Sequence, residues 1–273
     1  MNLVVSLLII VNIFLIIGRK IVSGNSCKSY GPPINYEFLV SLRKWDNIKE
    51  TYKHQCGGTL LNEFLVLTAA HCVVNQSIVV AECCKIDSLM YNGPVSAVET
   101  VLHPDYNPAT FKNDIALLRL ESPLHHKNNS GFARLAPPIY KDFNNLGMNL
   151  LRHCVSVGWG SAMVHCTDVT PVHIEYCRTK NHQLYPMREI NSNIFCTTKG
   201  DSIDSGGSVI CNNFLYGVTI WQDSSVGLTV NQRIDRNLRF IFDSAIVKSF
   251  NPGLKIFHFK FIILINLICS FLL

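Results

Sequence analysis

Charge is scarce in this sequence: only 16% of its 273 residues are Asp, Glu, Lys or Arg, and the formal net charge is +5. That excess is dispersed, with no basic run and no basic stretch interleaved with aromatics, which argues against nucleic acid as a partner. Low charge combined with 48% hydrophobic residues excludes intrinsic disorder. There is no Cys-x-x-Cys pair and no Cys/His cluster at zinc-ligand spacing, so the 11 cysteines do not read as metal ligands. No metal and no organic cofactor is implied. Internal repeats, low-complexity tracts and linkers of domain-boundary character are missing too. The length allows one large or two small domains, either with a substantial core.

What the chain has in excess is apolar sequence at its ends, residues 3–17 and 261–273. As a helix the first run spans about 22 Å, short of the ~30 Å hydrocarbon core. Residues 1–18 therefore read as a cleaved secretory signal ending at the small residue Gly18, with a retained anchor as the alternative. Export to an oxidising compartment makes disulfides the default for the cysteines. Asn75-Gln76-Ser77 and Asn128-Asn129-Ser130 are glycosylation sequons that suit a secreted surface. At the other end, residues 250–273 form a hydrophobic tail. Ser244-Ala245, a spacer with Asn251-Pro252-Gly253 and the apolar run follow the order of a lipid-anchor signal, which would bring membrane association. The alternative is a plain hydrophobic extension, because Ser244-Ala245 lie inside an amphipathic helix with Leu238, Ile241, Phe242, Ala245 and Ile246 on one face.

The body consists of short apolar stretches punctuated by Pro, Gly, Asn and Asp, among them Phe38–Leu42, Gly58–Leu61, Phe64–Thr68, Ser77–Ala81, Ile115–Leu120, Val155–Val157, Ser208–Cys211 and Leu215–Ile220. Helical periodicity is clear only over 236–249. The pattern predicts an antiparallel all-β protein of sandwich or barrel type with a terminal helix.

Several motifs then occur in order. Cys56-Gly57-Gly58-Thr59-Leu60 precedes Leu67-Thr68-Ala69-Ala70-His71-Cys72, and Asn113-Asp114-Ile115-Ala116-Leu117-Leu118 brings Asp114 43 residues after His71. Gly158-Trp159-Gly160, Asp204-Ser205-Gly206-Gly207 and Trp221 follow, and a cut after Lys20 would free Ile21-Val22-Ser23-Gly24. In this order and spacing the chain resembles a divergent trypsin/chymotrypsin-type serine peptidase over residues 21–249, with residues 19–20 as a short activation segment. The resemblance implies two six-stranded antiparallel β-barrels with a C-terminal α-helix, and protein or peptide substrates with protein inhibitors as further partners.

The chemistry stands beside the resemblance. A serine hydroxyl is a poor nucleophile without a base in hydrogen-bond reach. Histidine takes that proton, and a carboxylate on its far ring nitrogen fixes the tautomer. Ser205 as nucleophile, His71 as base and Asp114 as orienter fill these roles, with the amides of Ile203 and Ser205 as oxyanion donors. The resemblance further implies that cleavage after Lys20 frees an amine at Ile21 that pairs with Asp204 and orders the serine loop. It also implies the disulfides Cys56–Cys72, Cys154–Cys211, Cys177–Cys196 and Cys27–Cys166, leaving Cys83, Cys84 and Cys269 over. The acidic loop that holds calcium in some relatives is not evident around 81–93.

The departures cluster near the serine. Ile203 replaces a glycine of the family's Gly-Asp-Ser-Gly-Gly-Pro, at a backbone shape that costs a β-branched residue about 1–3 kcal/mol. Gly200-Asp201-Ser202 looks like a displaced copy of the motif, but Ser202 lacks the following Gly-Gly. Asp201 stands where a cysteine is usual, and no cysteine between 212 and 268 remains to pair with one. Only eight residues separate Cys196 from Ser205, which shortens a wall of the specificity pocket. Lys199 then falls near the pocket floor, where an ammonium rejects basic side chains and favours acidic ones; the alternative is a solvent-exposed loop lysine. Ile220 and Gln222 flank Trp221 where Ser and Gly are usual, and Gln222, Trp221 and Gly227 complete the expected pocket. The sequence thus predicts a secreted serine endopeptidase of non-tryptic specificity, activated from a precursor. The alternative is a weakly active or inactive homologue with a binding or regulatory role.

Overall fold

The computed structural model describes residues 38–74, 80–83, 95–124, 131–138, 151, 153–159, 164–180, 191–198, 204–223 and 225–247. Residues 1–237 and 238–273 form two units. Both sheets lie in the first.

The first sheet closes into a barrel. Its strands are β1 (Leu39–Asp46), β2 (Thr51–Asn62), β3 (Leu65–Thr68), β4 (Val80–Cys83), β5 (Val95–Leu102) and β6 (Ala116–Leu120), in the order β1-β2-β3-β6-β5-β4. All neighbours are antiparallel. Leu39, Leu42, Leu60, Leu67, Leu117 and Leu118 are almost wholly buried, so the apolar stretches of the sequence supply the core. β1 and β2 run beyond it. Their inner halves are buried and their outer halves are not, and the register shifts at Leu42/Arg43, where burial ends. Apolar patterning predicts only Phe38–Leu42 here, because the rest of β1 is extended by pairing with β2 rather than by burying side chains.

The second sheet contains β7 (Cys154–Trp159), β8 (Val164–Val169), β9 (Pro171–Val172), β10 (Ile194–Thr198), β11 (Ser208–Cys211), β12 (Phe214–Asp223) and β13 (Leu228–Arg233). Their order is β8-β7-β11-β12-β13-β10-β9. The end strands β8 and β9 are consecutive in the chain with only Thr170 between them, so the sheet curls back on one continuous stretch. This accounts for seven strands where six are expected. Asn212 and Asn213 join β11 to β12 with φ of 49° and 66°, a left-handed two-residue turn that asparagine tolerates. Gly217 is required by close approach: a Cβ there would lie 2.7 Å from the ring of Phe195.

Three disulfides form as the resemblance implies: Cys56–Cys72, Cys154–Cys211 and Cys177–Cys196. The chain-entropy estimate is about 3 kcal/mol for the first and about 4 kcal/mol for the second, which closes a longer loop. Cys166 is disulfide-bonded as well; Cys27 lies outside the described residues, as do Cys84 and Cys269. Cys83 ends β4. A six-residue helix, α1 (Ile174–Thr179), places Cys177 and was not predicted: its Tyr176 is half exposed, so it presents no long apolar stripe.

The sheets meet at a buried pair of hydroxyls, Thr59 Oγ1 and Ser208 Oγ, 2.6 Å apart. Ser208 stands where the family motif has proline, and Thr59 satisfies the hydroxyl that the change introduces. At the end of β13, Arg233 makes a buried two-pronged ion pair with Asp235 and donates to Ser192 O, tying down the segment before β10. The second unit contains α2 (Leu238–Val247), within the predicted 236–249. Ile241 is buried but Phe242 is exposed, so the apolar stripe is narrower than periodicity predicts.

Candidate functional site

His71 lies in a single 3₁₀ turn, Ala70–Cys72, just after β3. The Cys56–Cys72 bond and a hydrogen bond from Gln55 Nε2 to Cys72 O fasten this turn to β2. Asp114 ends the β5–β6 connection and is wholly buried. Its Oδ2 lies 2.6 Å from His71 Nδ1, and its Oδ1 accepts the His71 main-chain N–H at 2.8 Å. Both carboxylate oxygens are thus occupied by one residue. Ile220, also buried, brings no hydroxyl toward that carboxylate.

The connection that presents Asp114 is shaped by Phe111 and Asn113, both with positive φ, 55° and 51°. Asparagine accommodates this, whereas the bulky Phe111 stores roughly 1–2 kcal/mol of strain. Asn113 closes the loop on itself by donating to Asp105 O and ties it to the segment before β10 by accepting from Asn193 Nδ2. Phe111 stands edge-on to the His71 ring, centroids 5.4 Å apart. Burial, and after it the Asp114 carboxylate, push the Tyr106 phenol up to about 12, so it stays neutral beside Asp114.

Ser205 sits in the tight turn Asp204–Gly207, closed by Gly207 N donating to Asp204 O. Gly57 N donates to Ser205 O at 2.8 Å from the first sheet, and Gly206 N donates to Thr219 O at 2.7 Å in the second. The turn is therefore held from both sides. Among the described residues no hydrogen bond joins His71 Nε2 to Ser205. The sulfur of Cys72 lies 3.7 Å from Nε2. Such contacts are often long without substrate and tighten when it binds.

Asp204 has a partner that sequence reasoning missed. Its Oδ1 accepts from Trp159 N at 2.7 Å, and its Oδ2 lies 2.9 Å from His54 Nε2. His54 Nδ1 in turn lies 2.8 Å from Ser41 Oγ, which also accepts from Arg43 Nε. Ile21, the expected partner of Asp204, lies outside the described residues. Burial raises the Asp204 pKa, while the hydrogen bond and charge of His54, and then Trp159 N–H, pull it down.

A raised carboxylate pKa contributes stability that is complete below the ordinary value near 3.8 and is lost as pH rises through the folded-state value. His54→Ala removes a lowering influence, so that loss deepens and extends to higher pH. The expected cost is about 2 kcal/mol at neutral pH and little at about pH 3.5, where Asp204 is protonated with or without His54. Thermal unfolding at both pH values checks this; an equal loss at both would mean that the pair carries no charge-dependent stability.

Of the expected pocket residues, Trp221 and Gln222 lie half buried on β12, opposite Val230 and Thr229 of β13. Trp221 Nε1 is buried with no hydrogen-bond partner among the described residues. Gly227 lies in the β12–β13 turn, where an added Cβ would meet nothing within 4 Å. Lys199 and Ile203 lie outside the described residues, as do Asn75 and Asn128. Cys56, Cys72 and His71 bring three donor atoms within 4.8 Å of one another, but the two sulfurs are bonded to each other. No helix among the described residues is long and apolar enough to cross a membrane.

Residues 21–241 match the family model described as Trypsin. The chain is 32% identical over 219 residues to cationic trypsin-3 of Rattus norvegicus, covering 74% of this chain and 78% of that one. It is 30% identical over 218 residues to trypsin of Sus scrofa, covering 74% and 84%, and 29% identical over 219 residues to trypsin V-A of Rattus norvegicus, covering 75% and 79%. With its paired antiparallel sheets and its motifs in order, the chain belongs to the trypsin family of serine peptidases.

Proposed function

We infer that the protein is a secreted serine endopeptidase made as a precursor. The observation that carries this reading is the His71–Asp114 pair, with Asp114 wholly buried and both its oxygens turned to His71. In this reading Nε2 takes the proton of Ser205 as Oγ attacks a peptide carbonyl, and Asp114 stabilises the imidazolium that forms. The amides of Ile203 and Ser205 hold the developing oxyanion. His71 then protonates the leaving amine, and water hydrolyses the acyl-enzyme by the same steps.

Activation is a cut after Lys20. The new amine at Ile21 replaces His54 as the partner of Asp204, so a buried carboxylate exchanges one cation for another rather than losing its partner. Lys199 on the pocket floor gives a preference for acidic side chains. A second reading, a homologue that binds peptides without cleaving them, draws on the β-branched Ile203 in the oxyanion segment.

Activity-directed phosphonates separate these readings. After cleavage at Lys20, verified by a new N-terminus at Ile21, a fluorophosphonate is expected to label the protein but not its Ser205→Ala variant. A phosphonate with an acidic side chain before the reactive group is expected to react at least about tenfold faster than its lysine counterpart. Absence of labelling would end the peptidase reading in favour of the binding one. Faster reaction of the lysine probe would remove Lys199 from the pocket floor.

A further inference from the structure

Both carboxylate oxygens of Asp114 are spent on His71 and Ile220 brings no hydroxyl, so no other described residue bonds to it and its direction comes from the main chain. That main chain is fixed by the residue before it. Asn113 O accepts from Ile115 N at 2.8 Å, a three-residue turn with Asp114 at its centre. Asn113 itself is buried and left-handed, with φ of 51°. Asparagine enters that region more readily than most residues, yet the extended and right-handed regions still compete for it, so its side chain decides. Asn113 Nδ2 donates to Asp105 O, and a carbonyl can only accept. The amide therefore cannot turn over, and Oδ1 must face the group opposite. That group is Nδ2 of Asn193, 2.9 Å away and 80 residues along the chain.

Asn193 is anchored in turn to the second sheet. Its O accepts from Arg233 N at 2.8 Å and from Gln232 Nε2 at 3.1 Å, both on β13, and its N donates to Asn191 Oδ1. Arg233 is locked by its ion pair with Asp235. One side-chain amide thus carries the position of β13 to the residue that aims Asp114.

We propose that Asn193 is a positioning residue for the reaction: its amide holds Asn113 in the left-handed conformation that turns Asp114 toward His71. It acts through Asn113 and touches none of the triad side chains. Its value in catalysis rests on the peptidase reading; the alignment of Asp114 with His71 does not, and is measured without turnover.

Asn193→Asp keeps the shape and the main-chain anchors but sets a carboxylate oxygen against Asn113 Oδ1, acceptor against acceptor. In the full chain carrying Ser205→Ala, the low-field proton resonance of His71 Nδ1, the signature of its bond to Asp114, is expected to broaden or vanish with this substitution. With Ser205 intact and the chain cleaved after Lys20, kcat is expected to fall roughly 10- to 100-fold with KM nearly unchanged. Asn113→Gly supplies the control. Glycine takes a positive φ with no side chain to hold it, so this variant retains part of the resonance and Asn193→Asp adds nothing to it. An equal effect of Asn193→Asp in both backgrounds would overturn the proposal, since Asn193 would then act on something other than Asn113. So would an unchanged resonance and kcat, the parent's turnover leaving the peptidase reading in place. Loss of the resonance in a chain whose parent never turns over substrate would remove the peptidase reading and keep the positioning role.

Discussion

Asp114→Asn is expected to lower turnover of the cleaved protein about 10⁴-fold while leaving the fold intact, the magnitude typical of the trypsin-type triad. The geometry explains why so small a change matters. Asp114 accepts twice from His71, once from its main-chain N–H and once at its ring Nδ1. An asparagine has a single acceptor oxygen. If that oxygen keeps the main-chain bond, the amide NH₂ faces Nδ1, and the ring must carry its proton on Nε2. The base is then occupied before it can take the proton of Ser205. Because no described residue other than His71 bonds to Asp114, nothing else corrects the tautomer. Steady-state hydrolysis together with an unfolding curve checks this; a loss below tenfold with unchanged stability would show that Asp114 does not orient the base.

Gly206→Ala is expected to be the most destabilising of the substitutions considered, at about 4 kcal/mol, from backbone strain and overpacking together. Gly206 has φ of 81°, a conformation that side chains rarely adopt. Its added Cβ would stand 2.1 Å from Gly57 O and 2.5 Å from Thr68 Oγ1. Neither neighbour is free to move, since Thr68 Oγ1 donates to Gly57 O and Gly57 N donates to Ser205 O. Relief requires displacing the Ser205 turn from β2. Denaturant unfolding combined with fluorophosphonate labelling measures both consequences, and an unchanged midpoint would refute the close packing described.

How much of this was legible in the sequence varies with distance along the chain. The apolar stretches of β3, β6 and β11 announce themselves because burial and pattern coincide. The His71 and Asp114 motifs were readable through a resemblance, not through periodicity. His54 left no such trace: it lies on the outward half of β2, and its partner Asp204 is 150 residues away. Asn193 acts through a contact with Asn113, 80 residues away. Phe111 carries no local mark of its positive φ, which the surrounding loop imposes. The helix α1 escaped because a six-residue element is too short to display an amphipathic period. In each case the missing information is tertiary contact, which a strand's local pattern does not encode.

The clasp on the turn at Ser205 bears on the order in which the molecule is built. From one half of the domain Gly57 N donates to that turn, and from the other Thr219 accepts from Gly206 N and donates to Gly207 O, so both halves grip it. Neither half holds the Ser205 turn by itself. During folding the turn is completed only after the two have closed on each other, and any loosening between them undoes it before either sheet melts.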